Sequence, residues 1–137
     1  MTERLHAQTI LVVDDDAEWR QFLCDVLGPR YTVAAAANGE EALVKARTVN
    51  PSLIFLDVMI AGGKDGFTIF CELRKDPETH DVPVVFLTEI NPTNHTLFDT
   101  AILKRYLGES PAAFLEKPIK KDALLRAVEA VLGPAQH

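Results

Sequence analysis

Short apolar runs alternate with longer amphipathic stretches along almost the whole chain, and this alternation restricts the fold more than any other feature. Runs rich in β-branched or small apolar residues stand at TILVV (9–13), YTVAAA (31–36), SLIFL (52–56), VPVVFL (82–87) and AAFL (112–115). Between them the period changes to that of a helix. Residues 16–28 carry Trp19, Phe22, Leu23, Val26 and Leu27 at helical spacing and end at Gly28-Pro29. NGEEALVKA opens on an Asn-Gly helix start and sets Ala42, Leu43 and Ala46 on one face. Phe67, Phe70, Cys71 and Leu73 mark a third helix, stopped by DPET. Residues 91–108 have Pro near their start and Gly at their end. KKDALLRAVEAVLGP closes the series with Leu124, Leu125, Val128, Val131 and Leu132 as its stripe.

A strand followed by a helix, five times over, predicts an α/β sandwich around a parallel sheet. The first, third and fourth runs are nearly continuous in apolar residues, as strands covered on both faces must be. At 137 residues the chain suits a single domain over 1–137 with its core at about 8–133. The net charge of −6 argues against nucleic acid as a partner of this chain alone, and no run is apolar enough for a membrane span. Cys24 and Cys71 are far apart and read as small buried or half-buried thiols. The four histidines have no metal-ligand spacing. A reducing, cytoplasmic setting is expected.

In open parallel sheets the ligand site lies beyond the carboxyl ends of the strands. Those positions hold Asp14-Asp15-Asp16 after the first run, Asp57 after the third, Thr88 after the fourth and Lys117-Pro118 after the fifth. An aspartate after a strand is often just a helix cap, which is the role expected of Asp16. Clustered acids, however, need a counter-charge. A hard divalent cation with oxygen ligands, Mg²⁺ or Mn²⁺, is the economical one. Such a cation readily takes a phosphoryl oxygen, with Lys117 and the Thr88 hydroxyl on the others and one carboxylate as nucleophile on phosphorus.

The segments ILVVDDDAEW, PSLIFLDVMI, DGF, VPVVFLTE and FLEKPI resemble the receiver domain of two-component response regulators across nearly the whole chain. The resemblance implies a flavodoxin-like (βα)5 doubly wound fold with strand order 2-1-3-4-5. It implies Asp57 as phosphoacceptor, Asp15 as a direct metal ligand, Asp14 as a ligand through water, and the Met59 carbonyl as a further ligand. Thr88 and Lys117 would bind the phosphoryl oxygens, Phe114 occupies the aromatic switch position, and Lys117-Pro118 is expected to be cis. The implied donor is a histidine kinase or phosphotransfer protein. The implied partner is an output protein or attached output domain, met by the face that joins 91–108, the fifth strand and the last helix. A homodimer through that face is a further expectation, and the chain is expected to be a signalling module rather than an enzyme.

Three features depart from the family pattern. VMIAGGKDGF has no proline after Asp57 and is about one residue longer, which makes Met59 harder to place. Glu89 follows Thr88 where a small residue is usual. The segment between Thr88 and Lys117 is about seven residues longer than usual. Met59 and Ile90, at two positions beyond Asp57 and Thr88, are apolar and cannot orient an attacking water, so slow loss of the phosphoryl group is expected. Two other functions fit some of these residues. One is a degenerate receiver that acts as a scaffold independent of phosphorylation. The other is an aspartyl phosphohydrolase, which typically wants Asp-x-Asp-x-Thr where this chain has DDDAEW.

Overall fold

The period of two along each apolar run sends neighbouring side chains to opposite faces of a strand, and the sheet is built on that division. In the computed structural model, which describes residues 8–58, 66–88 and 113–133, Leu11 and Val13 of β1 (Thr9–Val13) join one buried layer, and Ile10 and Val12 join the other. β3 (Leu53–Asp57) repeats the split, with Ile54 and Leu56 against Leu53 and Phe55. β4 (Val84–Thr88) does so with Val84 and Phe86 against Val85 and Leu87. All these side chains are within 1% of complete burial. At about 1.5–3 kcal/mol for each large side chain, they supply much of the driving force.

Among the described residues, each layer is closed by two helices. α2 (Gly39–Thr48) and α3 (Gly66–Lys75) contribute Ala42, Ala46, Ile69, Phe70 and Leu73 to the first. α1 (Ala17–Leu27) and the C-terminal helix α4 (Lys121–Leu132) contribute Leu23, Leu27, Leu124 and Val128 to the second. With β2 (Thr32–Ala36) and β5 (Ala113–Glu116), the strands form one parallel sheet in the order β2-β1-β3-β4-β5. This is the α/β sandwich with a parallel sheet expected from the residues, in the doubly wound, flavodoxin-like strand order that the resemblance implies.

The limits of the elements differ from the sequence reading by one or two residues, for reasons in the ladder. Asp57 and Thr88 are the last residues of their strands rather than the first residues beyond them. Asp57 still pairs with Leu87, and Thr88 with Glu116. Tyr31 precedes β2 and closes the turn after α1 by donating its N–H to the Leu27 carbonyl, with its ring buried. The predicted helix over 91–108 lies outside the described residues. Cys24 and Cys71 are half-buried free thiols, and burial pushes the Cys24 thiol up, reinforced by Asp25. Among the described residues, no helix is long and apolar enough to cross a membrane.

α2 starts on a reciprocal cap. The Asn38 side chain accepts the Glu41 N–H at 2.8 Å, and the Glu41 carboxylate accepts the Ala37 N–H at 2.7 Å. That backbone hydrogen bond, followed by Lys45, holds the Glu41 carboxyl below its ordinary pKa. A depressed folded-state pKa stabilises above the unfolded value, about 4.3 for glutamate, and this contribution disappears as pH falls through the folded value. Urea melts across that acidic window should therefore show a shallower loss of stability for Glu41→Gln than for the wild type. Equal slopes would remove Glu41 from the cause.

Candidate phosphoryl and metal site

The carboxyl ends of the central strands are where the two apolar layers stop, so polar side chains collect there without displacing core. β1 delivers Asp14, whose N–H continues the ladder to the Ala36 carbonyl at 3.1 Å. β3 delivers Asp57 and β4 delivers Thr88. Asp14, Asp57 and Thr88 are all buried, whereas Asp15 and Asp16 are exposed.

Lys117 joins them from the far end of the sequence. Its N–H donates to the Thr88 carbonyl at 2.7 Å, which fixes the chain just after β5 against the end of β4. Its Nζ then lies 2.7 Å from Asp14 Oδ2 and 3.4 Å from Asp57 Oδ2, with only 4% of the side chain exposed. Burial pulls the Lys117 ammonium down, but the hydrogen bond and charge of Asp14 and the charge of Asp57 outweigh it, and the net shift is upward. The Lys117–Pro118 peptide bond is cis.

Asp14, Asp15 and Asp57 each present a carboxylate oxygen within 4.8 Å of the others. Lys117 offsets part of this negative charge. The donor set is hard oxygen throughout and carries negative charge, which fits a small divalent cation. This cluster is able to bind a metal. Asp16 has a different task, because its carboxylate accepts the Glu18 N–H at 2.8 Å and caps α1. Its own N–H donates to Asp14 Oδ1 at 2.9 Å, so the helix start also orients the buried acid.

Two further residues bear on the site, and helical periodicity alone assigned them to α1 without distinction. Arg20 donates from its guanidinium to the Asp14 main-chain carbonyl at 2.7 Å. Trp19 places its ring 5.2 Å from Lys117 Nζ. The usable signal was their position three and four residues after the cap Asp16, since the first turn of a helix that starts at a strand end stays beside that end.

Gly66 is placed by a close approach. Its N–H donates to the Val58 carbonyl at 2.8 Å, and a Cβ there would stand 2.4 Å from the Asp57 carbonyl oxygen and 2.8 Å from Val58 Cα. The half-buried Phe114 stacks on Phe86, its partner in the β4–β5 register, at 5.5 Å and 22°. Phe67 and Phe70 contact the same Phe86 ring at 5.3 and 5.5 Å. Met59, the Gly62-Gly63 loop, Glu89 and Ile90 lie outside the described residues.

Residues 10–129 match the family model of the response regulator receiver domain. Response regulator PleD of Caulobacter vibrioides is 34% identical over 123 residues, 89% of this chain and 25% of PleD. DNA-binding response regulator MtrA of Mycolicibacterium paratuberculosis is 34% identical over 126 residues, 91% of this chain and 51% of MtrA. The chain thus spans between a quarter and about half of the length of these relatives. Among solved structures, chemotaxis response regulator CheY4 of Vibrio cholerae superposes with a TM-score of 0.77 at 27% identity, covering 91% of this chain and 98% of that one.

Two stability measurements test this geometry. Gly66→Ala forces the added methyl against backbone, and denaturant melts should show a loss of about 1–3 kcal/mol; a neutral variant would place α3 farther from β3. Asp57→Asn has the opposite sign. At an effective dielectric near 20, charges at the 4.8 Å limit of the cluster repel by about 3.5 kcal/mol, and the attraction to Lys117 across 3.4 Å is about 5 kcal/mol. Asp57 has two acidic neighbours in the cluster, so repulsion wins. The metal-free variant should be more stable than wild type by about 1–2 kcal/mol, and a destabilised variant would show that the attraction to Lys117 dominates.

Proposed function

This chain belongs to the response regulator receiver domain family, and from that premise we propose that it accepts a phosphoryl group on Asp57 from the phosphohistidine of a partner kinase or phosphotransfer protein. The observation that carries this reading is the meeting of Lys117 with Asp14 and Asp57 at 2.7 and 3.4 Å, beside Thr88 at the next strand end. Neither a helix cap nor a solvated charge requires a buried ammonium shared between acids from two strands.

In the transfer, an Asp57 carboxylate oxygen bonds to phosphorus as the bond from phosphorus to the donor's imidazole nitrogen breaks, and the electron pair stays on that nitrogen. Lys117 turns from Asp57 to a phosphoryl oxygen and offsets the charge gathered there. The Thr88 hydroxyl donates to another phosphoryl oxygen. Asp14, Asp15, Asp57 and the Met59 carbonyl would hold Mg²⁺ or Mn²⁺, which when bound supplies charge neutralisation at the transferring group. The acyl phosphate carries about 1.5 to 2 negative charges at neutral pH where the carboxylate carried one. Thr88 moves toward it, and Phe114, which stacks on Phe86 two residues before Thr88, repacks into the space left. That repacking alters the face shared by β5, α4 and the segment between Thr88 and β5, where an output domain, an output protein or a second copy would dock. The module performs no reaction beyond its own phosphorylation and dephosphorylation. A cytoplasmic location belongs to the same reading.

Intact-mass measurement after incubation with acetyl phosphate and Mg²⁺ should show one added phosphoryl group that is absent in Asp57→Asn and prevented by chelation. No increment in the wild type would favour the scaffold reading, and turnover of added phosphoesters the hydrolase reading. With Met59 and Ile90 at the two water-orienting positions, the acyl phosphate should persist for minutes or longer, and decay within seconds would contradict that.

A further inference from the structure

We propose that Trp19 is a positioning residue for Lys117, holding the ammonium over its ring face at the entrance to the acid cluster; this rests on the phosphoacceptor reading. Three observations converge. The Lys117 Nζ stands 5.2 Å from the Trp19 ring centroid, within the range in which the negative face of an aromatic ring attracts a cation. The ring itself is held, because it meets Phe22 edge-to-face at 5.6 Å and 89° and packs against the layer that contains Leu23, Leu124 and Val128. The Lys117 side chain is 4% exposed although its neighbours Glu116 and Pro118 are exposed, so it needs cover from another element. The half-buried indole is part of that cover.

The contact does two things for transfer. It limits the rotamers of a flexible four-carbon side chain, so that less freedom is lost when Nζ engages a phosphoryl oxygen. It also keeps water away from the ammonium, which strengthens its pull on developing charge. A ring attracts the ammonium without neutralising it, so Lys117 can leave Asp57 for an incoming group and remain over the same surface. A third carboxylate in that place would bind the ammonium too tightly, and an aliphatic residue would cover it without attraction.

Three variants of the full chain separate the possibilities. Trp19→Leu keeps an apolar cover and loses the ring face, and Trp19→Phe keeps a ring. With acetyl phosphate at saturating Mg²⁺, Trp19→Leu should be phosphorylated about three- to ten-fold more slowly than wild type, and Trp19→Phe should recover most of the rate. The Mg²⁺ concentration at half-maximal rate should not rise in either, because neither touches the carboxylates. A wild-type rate in Trp19→Leu, equal losses in both variants, or a parallel weakening of Mg²⁺ dependence would each overturn the proposal. Trp19 is the single tryptophan of the chain, so its emission gives a second measurement free of phosphorylation. Lys117→Met should shift that emission by removing the charge beside the ring, and an unchanged spectrum would overturn the contact even if Trp19→Leu failed to fold. Absence of phosphorylation in the wild type would instead remove the premise, and the emission shift would still decide the contact by itself.

Discussion

Everything at the carboxyl end of this sheet depends on where the Lys117 ammonium sits. Asp14 and Asp57 are buried at the ends of adjacent strands, with Asp15 beside them, and carboxylates gathered this closely repel one another unless a positive charge stands near them. The sheet order makes a long side chain necessary. β5 is two strands from β3 and three from β1, and neighbouring strands are about 4.8 Å apart. Only an extended cation that leans across the end of β4 reaches both acids. The hydrogen bond from the Lys117 N–H to the Thr88 carbonyl starts that reach at the right height.

The pair is not there chiefly for stability. Desolvating two ions costs several kcal/mol each, and a well-packed apolar replacement is often as stable. The stability comes from the two apolar layers, whose alternate side chains clamp β1, β3 and β4 from both sides. That rigidity is what allows a charged cluster to persist at the edge. It also sets the tolerances, since Gly66 leaves no room for a side chain against the Asp57 carbonyl. The precision of the site is therefore a property of the backbone around it as much as of the acids themselves.

Much of this was legible in the residues before any coordinates. Runs such as ILVV and LIFL read as doubly covered strands, and once the sheet is parallel the ligand edge follows. Asp14, Asp57, Thr88 and Lys117 then fall on that edge by position alone. What periodicity did not give was the register of the last residue in each ladder, because Asp57 and Thr88 are polar and still paired within their strands. Nor did it separate Trp19 from Phe22 and Leu23. All three lie on the apolar stripe of α1, and only the packed structure shows that one ring turns toward a cation. Asp16 was separable from its two neighbours because a helix cap has a local signature.

The arrangement also explains why a site can be poised instead of settled. Lys117 is shared between Asp14 and Asp57 at unequal distances, 2.7 and 3.4 Å, so the bond to Asp57 is the weaker of the two and the first to yield. On the proposed reading, a phosphoryl group on Asp57 arrives with more charge than the carboxylate it replaces, and the ammonium moves toward it. Asp14 then loses part of its compensation, and added positive charge at the cluster becomes more favourable. Charge at Asp57 and charge at the acid pair are thus coupled through one side chain, and the same coupling acts in both directions. A fully neutral cluster would be more stable and would respond less, because it would have no imbalance for an arriving group to redistribute.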